Sequence, residues 1–314
     1  MRAALACLAL LAAPGPARAA LAFVTNQADD TVSIVDTAAG AVVQTVHVGA
    51  KPAGVAVAAD GRRIYVTNPD GHSVSVLERR DGAVAVVAEV PAGAGPLGVA
   101  VSPVDGRVFV ADWYGDTVAV LDPARLAIVA AITVGQSPSG LAIDPAGTRL
   151  YVANRESDTL SVIDLATLET RATVPVGQAP FGVTVQGGRV FVANVQSSDV
   201  SVLDAATLAE TRRLPVGEFP YAIGVTPDGS RILVTNQHSG TLSVFDGATY
   251  AALPDIAVGD YPEGIALSAD GTRAYVAVWM DDRLAEIDVA AGTVLRKIRV
   301  GGSPRAFGTF LAPE

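Results

Sequence analysis

The chain has 314 residues, of which 50% are hydrophobic, 17% charged and 5% aromatic, with 31 Gly, 19 Pro and one Cys. Such apolar content excludes a disordered chain, and a single Cys excludes a disulfide framework, a Cys-based structural zinc site and c-type haem attachment. The formal charge of −10 lacks the basic footprint that a phosphate backbone demands, so no nucleic-acid partner is expected.

Residues 1–19 read as a secretory leader. Arg2 gives a short positive start, and residues 3–13 form an apolar run too short to span a bilayer. Pro14-Gly15-Pro16 then breaks any helix, and Ala17-Arg18-Ala19 places small residues where a signal peptidase cuts. Cleavage after Ala19 removes Cys7, Arg2 and Arg18, leaving a cysteine-free chain of charge −12. The expected location is the periplasm or the exterior, with no membrane span.

The remainder, 20–314, is one unit written seven times. AFVTN at 22–26 returns as IYVTN (64–68), VFVAD (108–112), LYVAN (150–154), VFVAN (190–194), ILVTN (232–236) and AYVAV (274–278), at intervals of 42, 44, 42, 40, 42 and 42 residues. TVSIVD (31–36) returns in step as SVSVLE, TVAVLD, TLSVID, DVSVLD, TLSVFD and RLAEID. A glycine–proline turn keeps the same register, with prolines at 52, 96, 138, 180, 220, 262 and 304.

Each unit reads as four short strands separated by Gly, Pro, Asp and Asn clusters, with no helix-period apolar stripe. Runs such as GVAVA (54–58) and AVAVVA (83–88) lose apolar/polar alternation, as expected where neighbouring sheets cover both faces. A four-stranded repeat of this length predicts an all-β, seven-bladed propeller in a single domain. The first unit begins at its second strand, LAFVTN, and the chain ends on an unpartnered first strand, SPRAFGTFLA (303–312). The two ends therefore complete one blade and close the ring.

IYVTN, LYVAN and TVSIVD with the VGxxPxG turn resemble the YVTN-repeat family of seven-bladed propellers, over nearly all of 21–312. The resemblance implies an exported bacterial or surface-layer type of protein. Its members include cell-surface proteins and accessories of periplasmic oxidation systems, and related propellers include lactonases and haem carriers. The motifs specify the fold and not the function.

With strands named A to D outward from the axis, the Asn closing strand B (26, 68, 154, 194, 236) is expected to bond its own backbone and set the B–C turn. The Asp closing strand C (36, 122, 164, 204, 246, 288) is expected to do the same for the C–D turn. Glu78 replaces Asp in blade 2, where a looser turn is expected. The Asp-Gly, Gly-Gly and Ala-Gly pairs from 60–61 to 270–271 read as A–B hairpin turns.

Function is sought where the repeats disagree. The B–C and D–A loops should share one face at the channel mouth. Blade 3 carries Trp113 and Tyr114 there, and blade 7 carries Trp279. Phe181, Phe219, Tyr221 and Tyr261 follow in the D–A segments, beside Glu263 and Arg305. These nine residues form the candidate binding face, since Trp, Tyr and Arg dominate recognition hot spots. His47, His72 and His238 have no metal-ligand spacing, and no GxSxG elbow exists, so no catalytic residue, metal or cofactor is expected. The expected function is a monomeric, non-enzymatic exported binding or scaffold protein whose partner is another cell-envelope protein or a small ligand. The alternative is a lactonase-like hydrolase or a haem carrier of a periplasmic redox system.

Overall fold

β-Branched and aromatic residues in runs of about six build short antiparallel strands, and in the computed structural model, which describes residues 20–312, these form seven small sheets. The expected leader, 1–19, lies outside the described residues. Blade 4 shows the pattern, with strand A at Pro138–Ile143, B at Arg149–Asn154, C at Thr159–Asp164 and D at Glu169–Pro175, paired in that order.

Alternate residues of B and C go to opposite neighbours. Leu150, Val152 and Ile163 pack with Phe109 and Val120 of blade 3. Tyr151, Ala153, Leu160 and Val162 pack with Val190 and Val192 of blade 5. Both faces are thus covered, and strands B and C are almost continuously apolar. Strand D forms the rim of the ring and in blade 4 is exposed or half-buried along its length. AVAVVA does not follow the expectation set for it: it lies in the outer strand of blade 2 (Ala83–Pro91), where Val86 and Val87 are 37% and 45% exposed. Its apolar run is therefore not explained by cover on both faces.

The repeated Asn does not bond its own backbone. Asn154 is fully buried, and its Nδ2 donates to Thr159 Oγ1 (3.0 Å) and Ser161 Oγ (2.9 Å) of strand C. Its Oδ1 accepts the Gly135 N–H at 3.1 Å. Asn26, Asn68, Asn194 and Asn236 make the same Nδ2 bonds to the hydroxyl five or seven residues on, Asn194 taking the Asp199 carboxylate at the nearer place. A buried amide with no room to turn back on its own chain ties strand B to strand C instead. In blade 3 Asp112 takes this place, and the serine seven residues on is Ala119; in blade 7 the pair is Val278 and Ala285. Donor and acceptor disappear together, as burial requires.

Each Asp closing strand C accepts the N–H groups two and three residues on, as Asp204 does from Ala206 (3.0 Å) and Thr207 (2.8 Å). Blade 2 departs from expectation in the opposite sense. The strands around Glu78 lengthen, with Arg80 opposite Ala83, and close on a two-residue Asp81-Gly82 turn with φ of 51° and 85°. The positive φ pair is that of a tight type I′ hairpin, so the longer Glu is accommodated by extending the ladder rather than loosening the turn.

The C-terminal segment closes the ring as the out-of-phase ends imply. It bridges blade 1 strand B (Leu21–Asn26) at Ala22 with Leu311 and at Asn26 with Pro304, and fills the strand A place of that blade. Around 307–309 it turns to blade 2, where Phe307 O and Thr309 O accept the Val55 and Val57 N–H groups at 2.8 and 2.9 Å. Phe310 is fully buried in the junction.

Candidate binding site at the channel mouth

Two backbone devices aim side chains at the axis. In blades 3 to 7 the pairing of strand A with B shifts register across the two residues after the repeated proline. The bulge frees Leu97, Ser139, Phe181, Tyr221 and Glu263 from the ladder and turns them inward. Gly140, next in line, must be small because a Cβ there would lie 2.2 Å from Phe181 O of the adjacent blade. Strand B's Thr donates across to a bulged carbonyl of the next blade, Thr235 Oγ1 to Glu263 O at 2.8 Å.

The second device is the residue after strand B, whose N–H bonds the carbonyl just before the proline that opens strand A of the same blade. Trp113 bonds Gly95 O, Arg155 bonds Ser137 O, Gln237 bonds Phe219 O and Trp279 bonds Tyr261 O, at 2.9 to 3.1 Å. Around the ring this place holds Gln27, Pro69, Trp113, Arg155, Val195, Gln237 and Trp279. Six of the seven make this bond, Pro69 having no N–H, while Gln and Trp each occupy two of the seven places and the other three all differ.

Of the expected residues, Phe181 and Tyr221 begin strands A of blades 5 (Pro180–Gln186) and 6 (Pro220–Val225) and are 4% and 5% exposed. They stack at 4.0 Å between ring centres, with Phe307 at 4.8 Å from Phe181. Trp113, half-buried, lies 6.4 Å from Phe181. These rings plug the mouth end of the channel. Glu263, buried, accepts from Arg305 Nε at 2.6 Å and from Gln237 Nε2 at 3.1 Å, and Arg305 also donates to the Tyr221 hydroxyl. Burial pushes the Tyr221 phenol above its ordinary value, so it stays protonated. The paired carboxylate holds Arg305 charged.

A second group runs around the rim. Phe219 stacks on His238 at 3.8 Å, His238 meets Tyr261 edge-on at 5.3 Å, and Tyr261 lies 5.9 Å from Trp279. Phe219 and Tyr261 occupy the left-handed turn position, with φ of 56° and 59°. Tyr114 stands apart, 76% exposed and lying over Gly95. The nine residues thus divide into a buried layer and an exposed or half-buried one above it. Arg155, Gln237 and Phe307 belong with them and were not singled out from the sequence. The signal for the first two was available in the residue following each YVTN-type strand.

The channel itself is an apolar cavity of about 520 Å³ on the other side of the plug, with Phe307 in its wall. Val57, Val101, Ile143, Val185, Val225 and Leu267, the inner ends of strands A, ring it. Asp144 and Pro145 place its open end at the A–B hairpins. His72 Nδ1 lies 2.7 Å from Ala94 O. Among the described residues, no three His, Cys, Asp or Glu side chains are grouped to hold a metal ion. No helix among them is long and apolar enough to cross a membrane.

Seven four-stranded places closed by the chain's own terminus define a β-propeller whose asymmetry is concentrated at one mouth. The chain belongs to the YNCE-like beta-propeller family, whose model matches residues 81–186 and 176–254. No curated protein matches it in sequence. Among solved structures, a functionally unknown protein from Desulfotomaculum acetoxidans is similar over 92% of this chain and 99% of its own, with a TM-score of 0.80 and 17% identity. The periplasmic gluconolactonase of Pseudomonas aeruginosa is similar over 91% and 98%, with a TM-score of 0.76 and 20% identity. A dihydro-heme d1 dehydrogenase is similar over 90% and 74%, with a TM-score of 0.69 and 17% identity. At such identities the likeness is one of fold.

Proposed function

We propose that this chain is an exported, non-enzymatic binding propeller of the YVTN-repeat kind, which recognises a cell-envelope protein or a small ligand at the aromatic mouth. The observation that supports this reading is the contrast between a sevenfold-repeated backbone and an unrepeated set of rings presented by it. A scaffold gains nothing from leaving Tyr114 76% and Phe219 37% exposed, whereas a recognition surface needs large rings held with little ordering cost. The buried stack beneath and the Glu263–Arg305 pair keep that surface rigid. Export rests on the leader read at 1–19.

The test compares Trp113→Ala plus Tyr114→Ala with the opposite-face control Arg62→Ala plus Arg231→Ala, each checked for folding. Tyr221 is unsuitable for the purpose, since it is buried and bonded to Arg305. Loss of capture from a cell-envelope extract in the mouth variant alone is expected, and equal capture by all three proteins overturns the assignment. Lactone hydrolysis, or a haem absorption band on adding haem, that disappears in the mouth variant would replace binding with the hydrolase or haem-carrier reading.

A further inference from the structure

The charges at the mouth are not balanced locally. Arg305 is committed to Glu263 and Tyr221. Arg155 is not so committed: its guanidinium is half-buried over both rings, 5.8 Å from the Trp113 centroid and 5.9 Å from that of Phe181. Among the described residues no carboxylate forms an ion pair with it; neighbouring Glu156 is exposed and acts on it only at longer range.

The other acids of the surrounding loops are occupied by backbone. Asp116 accepts the Ser137 N–H (2.9 Å), Asp158 the Ala179 N–H (2.8 Å), and Asp112 the Gly95 and Ala94 N–H groups (2.7 and 3.0 Å). The Tyr221 phenol lies within the field of both guanidiniums. Partly removing a guanidinium from water without a counter-charge is costly. Contact with rings satisfies none of its N–H groups, whose planar fork matches two oxygens of one anion.

We infer that the molecule bound at this mouth presents a carboxylate or phosphate group, taken by the N–H edge of Arg155 beside the Trp113 indole. The inference rests on the proposed use of the mouth and adds the chemistry of what is bound there.

The probes are benzoate, its uncharged counterpart benzamide, and inorganic phosphate, titrated calorimetrically into the purified protein and into Arg155→Gln. Arg171→Gln, a change on the outer strand of blade 4, serves as control. Benzoate or phosphate is expected to bind saturably, to outbind benzamide, and to weaken roughly tenfold or more in Arg155→Gln but not in Arg171→Gln, the scale of one charge-assisted bidentate contact. Arg155→Lys should recover only part of the loss, because an ammonium lacks the planar fork. No saturable anion binding, or anion binding unchanged in Arg155→Gln, overturns the inference. If benzamide binds as tightly as benzoate and both are lost in Trp113→Ala, the mouth remains the binding site and only the preference for an anion falls.

Discussion

Asn154 illustrates how much one side chain settles in this fold. It spends both amide hydrogens on strand C and its oxygen on the preceding turn, with no exposed surface. Asn154→Ala leaves two hydroxyls and a backbone N–H without partners, and should cost about 2–4 kcal/mol of stability. Blade 7 suggests the remedy, because Val278 and Ala285 occupy the same two places without polar atoms. Asn154→Val combined with Ser161→Ala should therefore recover more than half of that loss. Urea midpoints for the two single variants and the pair measure it; additive losses would show that the network is not the source of the effect.

At the scale of the hairpin, the C–D turns make stability depend on pH in the acid range. Backbone N–H groups three residues on hold the carboxyls of Asp122, Asp164, Asp204, Asp246 and Asp288 below the usual aspartate range. A depressed folded-state value means that the unfolded chain binds more protons in this window. The stabilisation is therefore complete above the ordinary aspartate value of about 3.9 and is lost as pH falls through the lower folded values. Urea midpoints should drop from neutral pH to about pH 3. Asp204→Asn, which keeps an oxygen for the turn but cannot titrate, should show a shallower drop than the parent; equal slopes would remove these turns as the cause.

The ring is stabilised by closure and by links between blades. Arg107, just before strand B of blade 3, and Arg149 and Arg189, which begin strands B of blades 4 and 5, reach the next blade's C–D turn, donating to Leu165 O, Ala205 O and Gly247 O at 2.7, 2.6 and 2.8 Å. At the junction of blades 7, 1 and 2, residues 303–312 supply the missing strand and bury Ala306, Phe307 and Phe310. Deleting 303–314 exposes the edge of blade 1 and removes Phe310 from a site where loss of a Phe ring costs about 3–5 kcal/mol by itself. The truncated chain should melt well below the parent and associate on heating. Coincident thermal transitions would contradict this account of closure.

What the sequence determined alone was the repeated frame: seven units, their strands and turn positions, and a ring whose two ends make one blade, though not the bonds of the repeated Asn. Repetition amplifies weak local signals, because a β-branched run or an Asp-Gly pair seen seven times in register cannot be local accident. The unrepeated mouth was legible only in part. Trp113, Tyr114 and Trp279 stood out by rarity, yet Arg155 and Phe307 did not, since an arginine after a strand or a phenylalanine in the last segment has no distinctive pattern. Tertiary structure decided which rings are buried support and which are presented, through a bulge after the repeated proline of blades 3 to 7 that turns residues 97, 139, 181, 221 and 263 toward the axis. It also decided that the apolar cavity opens away from those rings. Both depend on how seven blades converge at a shared axis, where contacts are made between residues about 40 or more positions apart, as between Phe181 and Tyr221 or Glu263 and Arg305.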